Sequence, residues 1–366
     1  MELTLILLAA ILGFIIVIIS VPPILRVARE KKLFDTKDER KIHTSDIPPL
    51  GGIAIFLGFV LSTIIATDGY SFDSLKYIIA SIILMFFIGL KDDLLNISAR
   101  KKFIVQIFAV TLLAILGNVH LSHLHGIFGI GLLHPVYGTL ITIFIMLAIV
   151  NAFNLVDGID GLAASLATLA ATLFGIWFFQ AGHFQLAVMS FALTGSLAGF
   201  FIFNVFGNKN KLFMGDTGSL VIGLVIATLV IKFNELNAFP SSAFAFDYAP
   251  AVSFAVVIVP LIDTLRVMTI RIMNKKSPFA PDRNHIHHRL LELFPNHLAV
   301  TAIILAANIF FIGITILLGY LNMHATIHFM LTLLLGIVLS FVPSQLVKLK
   351  NRVSAPRQEL EVAKSK

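Results

Sequence analysis

The chain is divided into eleven apolar runs, near 3–23, 51–67, 75–90, 102–118, 136–153, 161–180, 185–206, 217–233, 249–270, 298–320 and 326–346. A bilayer core about 30 Å thick needs roughly 20 such residues per helix, because lipid offers backbone N–H and C=O groups no partner outside the helix. The runs at 51–67 and 75–90 stand at the short limit. The pattern predicts an all-α, polytopic integral membrane protein with about eleven transmembrane helices and excludes an ordinary soluble domain. Composition agrees: 58% of the 366 residues are hydrophobic and 13% are charged, about half the charge of a soluble protein. Only Glu2 precedes the first run. With no basic n-region and no Ala-x-Ala cleavage site, that run reads as a retained span and not a signal peptide. We read residues 1–346 as one transmembrane domain and 347–366 as a basic tail. The absence of cysteine excludes disulfides, thiolate metal sites and thiol nucleophiles.

Lys and Arg set the expected orientation. Of the 27 basic residues, 25 fall in alternate loops and the tail, and only Lys76 and Lys232 fall in the opposite loops. The positive-inside rule then places the N-terminus outside and the C-terminus in the cytoplasm, as an odd number of spans requires. The net charge of +7 is read as basic loops facing an anionic leaflet and not as a nucleic-acid surface.

The polar residues near the spans gather on the same, cytoplasmic side in four blocks. Asp92 and Asp93 follow the third run in Gly89-Leu-Lys-Asp-Asp. From a helix end they can reach one divalent cation, since Mg²⁺ takes one or two carboxylates with waters and phosphate oxygens. Asn151, Asn154, Asp157 and Asp160 recur every third residue, which keeps successive side chains near one another on helical turns. Amides and carboxylates together suit a base or ribose edge. Asp216, in Met214-Gly-Asp-Thr-Gly-Ser219, opens the eighth run, where a helix N-terminus flanked by glycines suits phosphate or Mg²⁺–phosphate; a simple N-cap accounts for it equally. The fourth block is Pro281-Asp282-Arg283-Asn-His285-Ile-His287-His288. Three His in four positions bind metal or, in a basic loop, an anion; with Asp282 and Arg283 beside them the anion is the better reading. His120, His123 and His125 lie on the opposite side without nearby acids in the sequence and read as interfacial. Asp263, close to Arg266, reads as a structural pair.

Taken together, these blocks resemble the polyprenyl-phosphate N-acetylhexosamine-1-phosphate transferases. That family includes the initiators of O-antigen, common-antigen and teichoic-acid synthesis and the phospho-MurNAc-pentapeptide translocase. The resemblance runs from Arg40-Lys-Ile-His43 and Pro49-Leu-Gly-Gly52 to about His288. It implies an eleven-span fold in the bacterial inner membrane with a Mg²⁺-dependent site facing the cytoplasm, Mn²⁺ being an alternative cation. It implies UDP-GlcNAc as donor and undecaprenyl phosphate as acceptor, with UMP released, in contact with membrane lipid and compatible with a homodimer. By motif, Asp92, Asp93, Lys102, Asp216 and His288 match catalytic positions, with metal held by Asp216 and the Asp pair. Asn151, Asn154, Asp157, Asp160, Asp282, Arg283, His285 and His287 match substrate-binding positions. The interrupted His run after Asp282-Arg283 resembles the GlcNAc-1-phosphate branch. Another UDP-HexNAc donor remains open on these residues, as does a different class, an ion-coupled transporter, which would instead place acids at mid-span.

Overall fold

The computed structural model describes residues 1–33, 47–67, 73–239, 243–277 and 284–352. The helices in chain order are α1 (Glu2–Glu30), α2 (Gly51–Ala66), α3 (Leu75–Leu95), α4 (Ala99–Ile115), α5 (Pro135–Val156), α6 (Leu162–Gln180), α7 (Phe184–Phe206), α8 (Gly215–Ala238), α9 (Ala249–Val256), α10 (Ile258–Met273), α11 (Ile286–Leu293), α12 (His297–Gly319) and α13 (Ala325–Ser340). Among the described residues there is no strand beyond an isolated bridge between His123 and Leu132. The protein is an all-helical, polytopic membrane protein. Among the described residues seven helices are long and apolar enough to cross a bilayer, α13 counting with the turns that continue it to Arg352, or eight if α9 and α10, bent by 75°, are taken as one span. Of the others, α2 and α4 have 16 and 17 residues, and α3 ends in Lys91, Asp92 and Asp93.

The spans are arranged around α8. Its apolar stretch is 83% buried, against 28% for α1, which makes α8 the axis and α1 a peripheral helix. Helices α2, α3, α5 and α6 pack directly on α8. An axis helix surrounded by protein does not need the apolar all-round surface of a lipid-facing one. It can therefore carry Asp216 at one end and Asn234 and Glu235 at the other.

The sequence predicts one continuous span over 249–270, whereas the structure breaks it between α9 and α10. Pro260 is the reason. It has no N–H to give the carbonyl of Val256 four residues earlier, and its ring crowds that carbonyl. The freed carbonyl accepts a 3.0 Å hydrogen bond from Asn308 Nδ2 of α12. A polar side chain from a neighbouring helix thus makes the break tolerable inside the bundle.

The end of the bundle away from the four polar blocks is closed by side chains folded onto backbone. Glu235 accepts from the Ser122 N–H at 2.8 Å and from Ser122 Oγ at 2.6 Å. Leu121 N–H donates to Thr142 Oγ1 at 2.9 Å, and Trp177 Nε1 donates to the Phe244 carbonyl at 2.8 Å. His125 does have acids nearby: Glu235 and Asp247 both act on it, though burial dominates and holds its ring below the usual histidine value. Its Nε2 lies 2.9 Å from the Asn234 carbonyl. Sequence distance had hidden these acids, because Glu235 is more than a hundred residues away.

Candidate active site

Helices α3, α4, α5 and α8 meet in sequence order as neighbours, and each brings one polar group to the same point. Lys102 stands in the first turn of α4. Its ammonium lies 2.7 Å from Asp216 Oδ2 of α8, 3.2 Å from Asp92 Oδ2 of α3 and 3.5 Å from Asn154 Oδ1 of α5. Asn154 Nδ2 donates to Asp216 Oδ1 and, at 2.9 Å, to Ser219 Oγ. The other oxygen of Asp92 accepts the Ile97 N–H at 2.8 Å, where the chain turns out of α3 through Asn96 in a left-handed conformation. Two carboxylates, one amide oxygen and one ammonium therefore share a partly open pocket at a helix N-terminus.

Asp93 points elsewhere. Its Oδ1 accepts the Asp216 N–H at 2.7 Å, and its Oδ2 accepts the Thr217 N–H at 2.9 Å and Thr217 Oγ1 at 2.5 Å. A carboxylate in the last turn of α3 opposes that helix's own dipole, but here it caps the N-terminus of α8, where negative charge is favoured. The approach requires Gly215. Its φ is +70°, and a Cβ there would fall 2.3 Å from the Pro49 carbonyl and 2.6 Å from Asp93 Oδ2. Adjacent Asp residues thus do different work: Asp92 faces the ammonium and Asp93 holds the backbone that carries Asp216.

The Asn-Asp block does not form one stripe, because α5 ends at Val156. Asn151 Nδ2 donates to Gln106 Oε1 at 3.0 Å and to the Leu147 carbonyl at 2.8 Å, so its amide nitrogen ties α5 to α4 and not to the pocket. Asn154 is in the pocket. Asp157 lies at the C-terminal end of α5; burial, then the charges of Asp216, Asp93 and Asp160, push its carboxyl up to about 8. Asp160 sits in the following turn. Its Oδ2 is 2.6 Å from Lys211 Nζ and 3.0 Å from His297 Nδ1, and its carbonyl accepts Thr301 Oγ1 at 3.0 Å. Burial opposes its ionisation, but the hydrogen bonds from His297 and Lys211 outweigh that and hold it below the usual carboxylate range. Asp160 therefore locks the turn to the start of α12.

Asp282 and Arg283 lie outside the described residues. The three histidines that follow are not equivalent. His285 is buried, with Nδ1 2.9 Å from Asp263 Oδ2 and Nε2 3.5 Å from Arg271 Nη2. Asp263 also accepts the Ile286 N–H at 2.9 Å and lies 3.4 Å from Arg266. The expected Asp263–Arg266 pair is thus part of a cap for α11. His287 is 2% exposed, and neither ring nitrogen has a partner among the described residues. Burial, then the neighbouring His288, lowers it to about 3, so at neutral pH it carries no charge to hold a phosphate. It packs over Gly158, where a Cβ would fall 2.3 Å from His287 Nε2. His288 packs on His287 with ring centroids 4.3 Å apart.

Among the described residues no three His, Cys, Asp or Glu side chains form a cluster able to hold a metal. The set around Lys102 is nevertheless all oxygen, with its ammonium standing where two carboxylates and an amide converge. Such a set suits a hard divalent cation that completes its shell with water and phosphate oxygens. Asp216, Asp92 and Asn154 fit that role; Asp93, with both oxygens occupied by α8, does not. Thr217, Ser219, Lys211 and His297 are site neighbours that sequence reading missed. Thr217 had a signal, as the residue after Asp216 at a helix start. Lys211 and His297 had none, since only the fold brings them to Asp160.

Residues 75–234, from the start of α3 almost to the end of α8, match the family described as glycosyl transferase family 4. The chain is 32% identical over 288 residues to the undecaprenyl-phosphate alpha-N-acetylglucosaminyl 1-phosphate transferase of Yersinia pestis, covering 77% of this chain and 76% of that protein. It is 31% identical over 290 residues to the Salmonella typhi protein of the same name, covering 78% and 76%. A Bacillus subtilis (strain 168) protein named probable undecaprenyl-phosphate N-acetylglucosaminyl 1-phosphate transferase is 30% identical over 315 residues, covering 84% of each chain. The segment matched to the family carries every helix that reaches Lys102, and the chain belongs to glycosyl transferase family 4.

Proposed function

We propose that this protein transfers GlcNAc-1-phosphate from UDP-GlcNAc to undecaprenyl phosphate, in a Mg²⁺-dependent reaction that opens the synthesis of a cell-envelope polysaccharide. An oxygen of the lipid phosphate forms a bond to the sugar-bearing phosphorus of the donor. The bond from that phosphorus to the bridging oxygen breaks, and UMP leaves with the electron pair. The sugar keeps its bond to phosphate. The single observation that carries this reading is the convergence of Asp92, Lys102, Asn154 and Asp216 at the N-terminus of α8, in a chain related to proteins named for this transfer.

Phosphoryl transfer asks a protein mainly for positioning and charge neutralisation. Asp216 and Asp92, with the Asn154 amide oxygen, would hold the cation, which neutralises charge on the leaving phosphate. Lys102 neutralises phosphate oxygens from the α4 side. Asp93 keeps the α8 backbone and therefore Asp216 in place. A lipid phosphate monoester is largely ionised near neutral pH, its second pKa being about 6, so no strong base is needed to prepare it.

In the proposed orientation the chain crosses the inner membrane eleven times, with the N-terminus outside and the site facing the cytoplasm, where charged nucleotide sugars are made. With no native cysteine, Ser277→Cys gives a clean topological probe. It should react with a membrane-impermeant thiol reagent in inverted vesicles and not in intact cells. The function is tested by incubating purified protein with undecaprenyl phosphate and a panel of UDP-sugars, scoring UMP and lipid-linked sugar. UDP-GlcNAc should be the preferred donor; preference for another UDP-HexNAc would move the donor assignment, and no UMP from any donor would remove the reaction.

A further inference from the structure

We propose that the Lys102 ammonium and a divalent cation compete for one place between Asp216, Asp92 and Asn154, so that Lys102 gives up this place when the cation binds. The inference rests on the function proposed above. The Lys102 ammonium lies within 2.7–3.5 Å of Asp216 Oδ2, Asp92 Oδ2 and Asn154 Oδ1, the same oxygens that suit the cation. A Mg²⁺ ion demands oxygens at about 2.0–2.1 Å. An ammonium in hydrogen-bond contact with those oxygens leaves no room for it, so the two occupants exclude each other.

Local structure argues that Lys102 is placed there for the pocket and not for its helix. It stands in the first turn of α4, behind Ser98, which makes no side-chain cap. Positive charge near a helix N-terminus opposes the dipole. Its side chain is only 13% exposed, whereas the adjacent Lys101 is exposed. Lysine also suits an exchangeable role. Its ammonium is a point charge on a flexible four-carbon stem, with three donors that can be re-aimed, where arginine would form a fixed fork. Without Lys102, two carboxylates 2.7 and 3.2 Å from one point would face each other unneutralised. With the cation in place, Lys102 is released toward the phosphates the cation brings.

Two consequences have opposite signs. For the cation alone, Lys102 competes and weakens binding. For the cation together with a diphosphate donor, Lys102 helps, because it then meets new negative charge. Metal and donor are therefore coupled through this side chain, and the coupling is reciprocal.

The test is a Mn²⁺ titration of the full-length protein in detergent, with free Mn²⁺ read by electron paramagnetic resonance, with and without UDP-GlcNAc. Lys102→Met should bind Mn²⁺ alone about tenfold tighter than wild type, inside the usual range of site-to-site coupling. It should also lose most of the gain in Mn²⁺ affinity that the donor gives wild type. Lys101→Met removes the same charge from the neighbouring position and should change Mn²⁺ affinity less than about twofold, as expected for an exposed, screened charge. Lys102→Gln provides the same reading if the methionine variant does not elute as wild type does. Equal or weaker Mn²⁺ binding by both Lys102 variants, or an equal shift in Lys101→Met, would overturn the exchange and leave the proposed reaction standing. Asp216→Asn separates the other failure: if it binds Mn²⁺ as wild type does, the metal reading of the site falls and the exchange falls with it.

Discussion

At one end of α8, Glu235 accepts two hydrogen bonds from Ser122 and pins a connecting segment to the bundle. At the other end, Asp216 shares its oxygens between the side-chain amide of Asn154 and the ammonium of Lys102. Both are carboxylates on one buried helix. Glu235 takes a backbone N–H and the hydroxyl of the same residue, partners the fold fixes in place. Among the described residues, the Asp216 carboxylate meets side chains alone, those of Asn154, Lys102 and Asp92, which a ligand can displace where it cannot displace a backbone N–H. The Asp92–Asp93 pair repeats the contrast within two residues, with Asp93 on the backbone of α8 and Asp92 toward Lys102. The chemistry of a carboxylate here follows from what already fills its lone pairs.

Exchanging the two ends of α8 in turn gives the largest expected contrast. Asp216→Asn should lower UMP release on the order of 100-fold or more, as loss of a key charge-stabilising group does, with the thermal unfolding curve little moved. Full activity in that variant would remove Asp216 from the chemistry. Asp93→Asn should be almost as damaging but in both assays, because the amide nitrogen would face the N–H of either Asp216 or Thr217, whichever the amide oxygen does not accept. Thr217→Val, which removes only the 2.5 Å hydroxyl bond, should fall between wild type and Asp93→Asn, and Thr217→Ser should recover. If Asp93→Asn lost activity with unchanged stability, Asp93 would return to the pocket as a reacting group.

Glu235→Gln tests the quiet end. It should destabilise by about 1–3 kcal/mol, the usual cost of weakening hydrogen bonds to a charged group, with UMP release per folded molecule within about twofold of wild type. A larger catalytic loss would mean the two ends communicate. The effect smallest at neutral pH belongs to His287, because it develops only in acid. Its folded value near 3 lies below the ordinary value of about 6.5. The neutral ring therefore contributes its stability in full above pH 6.5, and this is lost as pH falls from there toward 3. His287→Phe should flatten that part of the stability profile; an unchanged acid limb would mean another group sets it.

The helices were largely legible because apolar runs are local. The run at 217–233 falls inside α8, and that at 298–320 nearly coincides with α12. The signal for the break, Pro260, is equally local, but the apolar run around it is long enough to read as one span. The four blocks were legible as a group. Roles within them were not, because they depend on partners supplied by other helices. Nothing near Asn151 in the sequence indicates Gln106, forty-five residues away, and nothing near Asp160 indicates Lys211 or His297. The different partners of Asp92 and Asp93 are absent from the sequence for the same reason: only the position of α8 distinguishes the two.

The bend between α9 and α10 also acts as a ruler. Pro260 fixes where α10 begins its direction, and Asp263, three residues on, is where His285 and the first N–H of α11 attach. Each residue of helix turns the chain by about 100°. Inserting one alanine between Pro260 and Asp263 would aim that carboxylate at a different neighbour while leaving every residue type unchanged. The placement of the histidine segment is thus encoded as a count of residues from a proline, a kind of information that substitution scanning would pass over and a one-residue insertion would expose.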